Sequence, residues 1–437
     1  MIQRFLAKFN DGSFVYQYFL IFRYAISFIC SIIIVRSGLT TADIGTYEWL
    51  LFLIHTGTFF FHNSILTYFM SIYGKASVSE KPRIISGVFT SVLLLACILM
   101  AFIGLGIYGF DQMPFFLQLK PFFPYIVAYS IVMSPLALVE GTYFLLGLEK
   151  VLLRYIHFSQ LGIVIGFLGV AIVQPSIQNF LLFMILWGAI RLLYFCRTID
   201  CSDAFNFDVK FAVTLMLTFT PVFVNQLLSQ TMEMADGWMV KYFFDDSTFA
   251  IFRYGARELP LSSFLFSGIS LTYIYTLQTN GYDLSNLRTR INKLMGYVFP
   301  IGILSMVLSP FLFSFFYSPD FRNSALVFNV YLLILVSRVL LPQTILMAKN
   351  QFNVILYSTI FEIIINISLS LWWVHLWGIM GLTLATAVAY FIQKIILIIY
   401  NTRINHIHIT DIIDLRRYTM WSMGLIVMFA ISYFYIL

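Results

Sequence analysis

The amino-acid sequence predicts an all-α polytopic membrane protein, with two six-helix lobes around a central cavity and an additional thirteenth helix. Of its 437 residues, 60% are hydrophobic and only 11% are charged, which leaves too few polar side chains to cover a soluble surface. Apolar runs of about 20 residues recur from one end of the chain to the other, each long enough to cross a hydrocarbon core of ~30 Å.

The apolar runs predict the helices in order. The first six cover residues 14–36, 47–73, 84–109, 121–147, 155–173 and 177–197. A polar stretch, RTIDCSDAFNFDVK, interrupts the pattern at 197–210, and six further helices follow at 210–242, 247–277, 290–317, 324–348, 352–375 and 378–401, with a shorter one at 417–436.

This spacing predicts the domain organisation. We expect an N-terminal lobe at 1–198, a cytoplasmic linker at 199–209, a C-terminal lobe at 210–401, and an amphipathic segment with the extra helix at 402–437. Two halves of six helices are a common plan among membrane transporters.

The loop charges predict the orientation. With a cytoplasmic N-terminus, sixteen lysines and arginines fall in cytoplasmic segments and four fall outside. Positive residues are enriched on the cytoplasmic side of membrane proteins, so the sequence predicts a multi-pass protein with a cytoplasmic N-terminus. The cations are spread over many loops rather than gathered on one basic face, which argues against nucleic-acid binding.

Six cations remain inside the predicted helices. Arg191 and Lys394 lie near helix ends, where a long side chain can reach the headgroups. The four others lie deeper, and an arginine facing lipid there costs at least ~2.5–3.5 kcal/mol. The candidate substrate-binding cations are therefore Arg23, Arg253, Arg257 and Arg338.

Arg253 and Arg257 share a helix face at i and i+4, where like charges repel unless something anionic lies opposite. Glu258 points about 100° away from Arg257 on a helix of 3.6 residues per turn, so it does not easily neutralise both arginines. The carboxylates proposed for ion coupling or structural pairing are Glu48, Glu140, Asp236 and Glu258. Buried salt bridges and a cationic cavity both remain open as explanations of this cluster.

His55 and His62 lie seven residues apart on one predicted helix and share a face beside Asn63. They are candidates for lining a substrate cavity or for packing. The sequence offers them no third ligand at metal-site spacing, and no nucleotide-binding, nucleophile-elbow or metalloprotease motif is found. We therefore expect no metal, no cofactor and no enzymatic activity.

Four stretches resemble the polysaccharide-synthesis (Wzx-like) flippases of the multidrug/oligosaccharidyl-lipid/polysaccharide exporter superfamily. SGLTTADIGTYEWLLFL, at 37–53, is similar to the first outer loop and second helix of that family. DGWMVKYFFDDSTFAIFRYGARELPL, at 236–261, resembles its helix 7–8 hairpin. LMAKNQFN, at 346–353, and GIMGLTLATAVAY, at 378–390, resemble its helices 10–12, although Gln351 replaces the usual small residue.

The resemblance implies a function. Such proteins move an undecaprenyl-pyrophosphate-linked oligosaccharide from the cytoplasmic to the outer leaflet by alternating access. It places Arg23, Arg253 and Arg257 near the pyrophosphate, which the planar guanidinium can grip through two hydrogen bonds. The implied partners are the lipid-linked oligosaccharide, membrane lipids and other polysaccharide-assembly membrane proteins.

The sequence leaves two alternatives. A cation-coupled drug or metabolite exporter of the same superfamily would rely on acidic residues, with Glu48 and Glu140 as candidates. A glycan polymerase or ligase would need a large outer loop with arginine and histidine, whereas the longest predicted outer loop, at 110–120, carries only Asp111 and Lys120.

Overall fold

A computed structural model describes residues 12–109, 114–199, 208–256, 266, 270 and 284–436. Every regular element in these ranges is helical. Nine of the described helices are long and apolar enough to cross a membrane, which confirms the predicted all-α, multi-pass class. The chain divides into two compact units, Met1–Gln230 and Thr231–Leu437.

Among its described residues, the first unit contains seven complete α-helices and the first part of an eighth. They are α1 Gly12–Arg36, α2 Thr41–Tyr73, α3 Lys81–Gly109, α4 Pro114–Leu119, α5 Phe123–Leu145, α6 Glu149–Val173, α7 Ile177–Thr198 and the first part of α8 Val209–Phe243. Its core is built around α5, which packs against α2, α3 and α7, while α1 packs along α6. Phe89, Tyr143 and Phe195 fill the core with stacked and edge-on rings.

The second unit contains the rest of the α-helices in the described ranges. They are the end of α8, α9 Asp246–Gly255, α10 Leu284–Phe316, α11 Ser324–Arg338, α12 Pro342–Ala348, α13 Phe352–Ile404, α14 Ile409–Ile412 and α15 Leu415–Ile436. Its division from the first unit falls inside α8, whereas the sequence pattern places the linker at 199–209. Those domain boundaries stay a prediction.

The second helix begins earlier than its apolar run. Hydropathy predicts a start at 47, but α2 starts at Thr41 because Thr40 and Asp43 form a capping box. The Thr40 hydroxyl accepts a hydrogen bond from the Asp43 amide at 3.1 Å, and the Asp43 carboxylate accepts one from the Thr40 amide at 3.2 Å. Polar first turns of this kind satisfy amides that have no partner within the helix.

Two backbone breaks shape the second unit. The helix predicted at 324–348 is interrupted after Arg338, and Leu341 adopts a left-handed conformation with φ 42° before α12 begins. Within α13, Gly378 has φ 58° and ψ −137°, so the element is two helices joined at a sharp turn. Glycine suits this position because a side chain disfavours positive φ.

The extra C-terminal helix belongs to the second unit. α15 packs against α10 and α11. At the α11 contact, the Asn329 amide donates to the Ser432 hydroxyl at 3.1 Å, and the Tyr418 hydroxyl donates to the Val336 carbonyl at 3.0 Å. Just before α15, Ile412 and Ile413 are buried, so this part of the predicted amphipathic segment packs onto protein.

Candidate functional site

The first charged cluster lies in the core of the first unit. Arg191 on α7 forms an ion pair with Glu140 on α5, with 3.3 Å between Nη2 and Oε1. Arg191 is 8% exposed and Glu140 7%. The guanidinium also lies 5.6 Å from the ring centroid of Tyr155. The expectation that Arg191 reaches the headgroups is therefore wrong, because a buried partner carboxylate and an aromatic face hold it inside the unit.

Arg23 lies near the middle of α1 and is exposed. Its guanidinium carbon is 5.3 Å from the ring centroid of Phe19, one turn earlier. The charge of Arg23 also acts on Glu140 and on Tyr16, so it lies on the side of α1 that faces this cluster. Because Arg191 already engages Glu140, the three charges leave an excess of one positive charge.

The structure separates the two histidines by environment. His55 is exposed and its ring lies 4.9 Å from that of Phe59. His62 is partly buried against Phe61, and its Nε2 atom is buried without a hydrogen-bond partner. Glu48, on the same helix, is 7% exposed. The cavity-lining roles of these residues stay predictions.

A second polar cluster surrounds Asp236 on α8, within the second unit. Asp236 is 3% exposed, and its Oδ2 atom accepts hydrogen bonds from the hydroxyls of Tyr331 and Thr386, both at 2.7 Å. The Asn366 amide donates to Thr386 at 2.8 Å. The Asp236 Oδ1 and Asn366 Oδ1 atoms are both buried without a hydrogen-bond partner, so two acceptor oxygens of the cluster lack a donor.

The other predicted arginines have different settings. Arg253 lies in the last turn of α9 and is partly buried. Two residues later, an added Cβ on Gly255 would lie 2.4 Å from the Ser324 carbonyl oxygen of α11, so α9 and α11 approach closely beside Arg253. Arg257 and Glu258 lie outside the described residues.

A third cluster contains Arg338, which the sequence analysis named as a site residue, together with Lys394 and Glu362, which it did not. Lys394 is 4% exposed and Glu362 3%, and the charge of each acts on the other. Arg338 and Lys394 both lie near the ring of Tyr390, at 5.9 and 5.2 Å. The expectation that Lys394 reaches the headgroups is wrong, since its ammonium donates to Gln393 at 2.8 Å inside the unit. The sequence did offer a signal for this cluster, because Glu362 lies within one predicted helix and Lys394 within the next.

The three clusters consist of acids, bases, hydroxyls and amides. Among the residues that the structure describes, no group of three or more His, Cys, Asp or Glu side chains is arranged to hold a metal ion. The clusters can instead exchange protons, bind a small monovalent cation or attract an anion.

The fold can be compared with those of solved structures. The "Lipid II flippase MurJ, inward closed conformation" is 15% identical, with 96% of this chain and 92% of that chain covered and a TM-score of 0.68. An inward-facing multidrug resistance MATE family transporter of the MOP superfamily is 13% identical, with coverage of 88% and 98% and a TM-score of 0.62.

A third structure, the Vibrio cholerae MATE transporter VcmN, is 12% identical, with coverage of 92% and 98% and a TM-score of 0.54. No protein-family model matches the chain, and no curated protein does. The chain therefore shares the fold of MOP-superfamily transporters, as the sequence predicted, over nearly its full length.

Proposed function

We propose that the protein is a flippase that moves an undecaprenyl-pyrophosphate-linked oligosaccharide from the cytoplasmic to the outer leaflet by alternating access, in a central cavity whose cations bind the pyrophosphate. The observation that carries the proposal is the exposed guanidinium of Arg23 in the middle of an apolar helix. Facing lipid, it would cost at least ~2.5–3.5 kcal/mol. A water-filled cavity that binds an anionic headgroup would stabilise the Arg23 guanidinium.

The electrostatics of the first unit support this assignment. None of the described carboxylates forms an ion pair with Arg23, and Glu140 is engaged by Arg191. The positive charge of Arg23 is thus available to a ligand. Arg253, Arg257 and Arg338 are proposed to share this role, with His55 and His62 lining the cavity.

The comparisons favour a lipid-linked substrate. The solved structure with a TM-score of 0.68 is a lipid II flippase, which by its name moves a lipid. Transport of such a molecule needs no covalent step. We propose the bacterial cytoplasmic membrane as its location, with a cytoplasmic N-terminus, and other polysaccharide-assembly membrane proteins as partners.

The second candidate is a cation-coupled drug or metabolite exporter, and the Asp236 cluster is the observation that favours it. Two buried acceptor oxygens without donors, on Asp236 and Asn366, would be satisfied by a proton or a small monovalent cation. Ion coupling through Asp236 is also compatible with a flippase, so the two candidates differ in substrate. Glu48 and Glu258 stay proposed as coupling or pairing residues.

The test is a flipping assay in proteoliposomes, with a pyrophosphate-linked polyprenyl oligosaccharide whose terminal sugar an added impermeant enzyme modifies. Wild-type protein should expose the sugar, Arg23→Ala should abolish exposure, and Arg23→Lys should retain part of it. Arg36→Ala is the matched control, because it removes the same charge from the exposed end of the same helix. A folded Arg23→Ala variant that flips as fast as wild type would refute the role of this arginine. A wild type that never flips this lipid would refute the proposed function and favour the exporter.

A further inference from the structure

α13 is a hairpin, and hydrogen bonds between polar side chains join its two arms. The break at Gly378 divides it into a first arm before this residue and a second arm after it. The Gln393 amide donates to the Thr359 hydroxyl at 3.2 Å, and the Asn366 amide donates to the Thr386 hydroxyl at 2.8 Å. The two pairs lie seven residues apart on both arms, so the arms run antiparallel in a constant register.

Glu362 lies on the first arm between these two hydrogen-bonded pairs. It precedes Asn366 by four residues, so the two side chains are neighbours on one helix face, with about 5–6 Å between their Cβ atoms. Tyr390 follows Thr386 by four residues on the second arm and therefore lies opposite Glu362. Both Glu362 and Asn366 are buried. The carboxyl group of Glu362 is thus enclosed in the second unit, one helical turn from the Asp236 cluster.

Three acceptor oxygens in this stretch lack a donor. They are Oε1 of Glu362 and the Oδ1 atoms of Asn366 and Asp236, and all three are buried. The Ser370 hydroxyl, one turn beyond Asn366, is also buried without a partner. A hydroxyl donates one hydrogen bond, so Ser370 can satisfy only one of the three oxygens. Burying an acceptor without a donor is costly, and at least two of these oxygens need a donor from elsewhere.

We propose that Glu362 is a proton-binding site whose protonated form donates a hydrogen bond to Asn366 Oδ1. An ionised carboxylate only accepts hydrogen bonds, whereas a carboxylic acid also donates one. A proton taken up from water therefore satisfies two oxygens at once, because Glu362 becomes the donor and Asn366 the acceptor. Two oxygens suffice to hold a proton, whereas hard cations such as Mg²⁺ and Ca²⁺ take about six or more oxygen ligands.

The hydrogen bonds beyond Asn366 already have the direction that this proton requires. The Asn366 amide donates to Thr386, and the Thr386 hydroxyl donates to Asp236 Oδ2 at 2.7 Å. A proton on Glu362 extends this chain by one donor, so that it runs from one carboxyl group to the other. Hydrogen bonds in a chain polarise and strengthen one another. Proton binding at Glu362 should therefore strengthen the hydrogen bonds that Asp236 accepts.

The groups around Glu362 allow the proton to leave as well as to bind. The charged and titratable side chains on the elements packed against this stretch are Tyr331 and Arg338 on α11, Tyr390 and Lys394 on the second arm, and Asp236 on α8, while α12 carries none. The Lys394 ammonium and the Arg338 guanidinium carbon lie 5.2 and 5.9 Å from the ring centroid of Tyr390, opposite Glu362. Nearby cations favour the ionised carboxylate, whereas the oxygens without donors favour the protonated one.

A proton-binding role has a signature that a structural carboxylate lacks. In Glu362→Gln, the side-chain amide can donate to Asn366 Oδ1 as the acid proton would. This variant resembles the protonated state and should unfold at the same temperature as wild type or higher. If the carboxylate instead served as a buried partner of Lys394, its loss would be strongly destabilising. The inference concerns proton binding whatever the substrate, so its failure leaves the proposed function standing.

The experiment is infrared difference spectroscopy of the purified full chain in lipid bilayers, titrated from alkaline to mildly acidic pH. The carbonyl stretch of a protonated carboxyl group, identified by its shift in D₂O, should grow on acidification in wild type and be lost in Glu362→Gln. Glu80→Gln is the control, because it removes an exposed carboxyl group. Asn366→Leu should weaken proton affinity about tenfold through loss of one hydrogen bond, whereas Asn353→Leu, at an exposed position of the same arm, should not.

Each remaining outcome overturns the proposal. An acid band of unchanged size in folded Glu362→Gln does so, and its loss in Asp236→Asn would then place the proton on Asp236. A wild type without an acid band over the titrated range does so as well, and so does a clearly lowered unfolding temperature of Glu362→Gln. Should Glu362→Gln fail to fold, Asn366→Leu decides, since a proton affinity equal to that of wild type and of Asn353→Leu contradicts the hydrogen bond to Asn366.

Discussion

The buried pair of Glu140 and Arg191 allows a sharp test of whether a charge in the first unit is structural or available for coupling. Glu140→Gln leaves a buried guanidinium without its partner, and Arg191→Met leaves a buried carboxylate. The double variant removes both charges with little change in volume. The exporter alternative needs Glu140 to gain and lose a cation, whereas the structure places it 3.3 Å from Arg191.

The expected magnitude follows from this geometry. At 3.3 Å and an effective dielectric constant of about 20, the Coulomb attraction is about 5 kcal/mol before desolvation is subtracted. Removing one partner of a buried pair costs about 3–5 kcal/mol, while replacing both by apolar or neutral groups is often close to neutral. Each single variant should therefore lose about 3–5 kcal/mol of unfolding free energy, and the double variant should recover most of it.

The assay is reversible unfolding in mixed micelles, followed by tryptophan fluorescence, with a double-mutant cycle. The pair of Arg83 and Asp208 is the matched control, because it has a similar distance of 3.1 Å but side chains that are 65% and 36% exposed. Its cycle should yield about 0–1 kcal/mol. A coupling energy between Glu140 and Arg191 as small as that of the control pair would contradict the reasoning.

Three further outcomes are expected. Gly255→Ala should destabilise the protein by about 1–3 kcal/mol through overpacking, because its Cβ would lie 2.4 Å from a backbone oxygen, whereas Gly296→Ala, with nothing within 4 Å, should be neutral or stabilising. Thr40→Ala should cost about 1 kcal/mol in thermal unfolding through loss of the cap, and no change would exclude the capping box. The Phe211 backbone amide lowers the pKa of Asp208. The ionised Asp208 carboxylate therefore stabilises the folded protein near neutral pH, and this contribution is lost as the pH falls through the lowered pKa. In Asp208→Asn, the unfolding free energy should therefore fall less between neutral and acidic pH than it does in wild type. If it falls by the same amount, other groups cause the pH dependence.

The positions of most of the long helices in the described ranges could be predicted from sequence, because a helix in lipid must satisfy all its backbone groups internally. Long apolar runs therefore report helices directly. The exact ends could not be predicted in this way, since α2 starts at a polar cap rather than at its apolar run. The break after Arg338 was also missed, although a signal was present: Pro342 directly follows Leu341, which adopts the left-handed conformation, and a residue before proline is disfavoured in the α-helical region.

The candidate sites were predictable only in part. Sequence reasoning singled out Arg23 and Arg338 because a mid-membrane arginine is costly, and it named Glu140 and Asp236 without their partners. It misplaced Arg191 and Lys394 at the headgroups. Distance from a helix end is a poor guide when a partner carboxylate lies on a neighbouring helix, as Glu140 does for Arg191.

By itself, the sequence determined that this chain spans a membrane many times as helices. It has too few polar residues to cover a water-exposed surface, and its apolar runs are long enough to cross a membrane. Only the tertiary structure decided which charges meet. Ion pairs and hydrogen bonds form over a few ångströms between helices far apart in the chain, such as Asp236 with Thr386 and Glu140 with Arg191. Hydropathy is a property of each run alone, whereas partnership depends on the rotation and depth at which two helices pack.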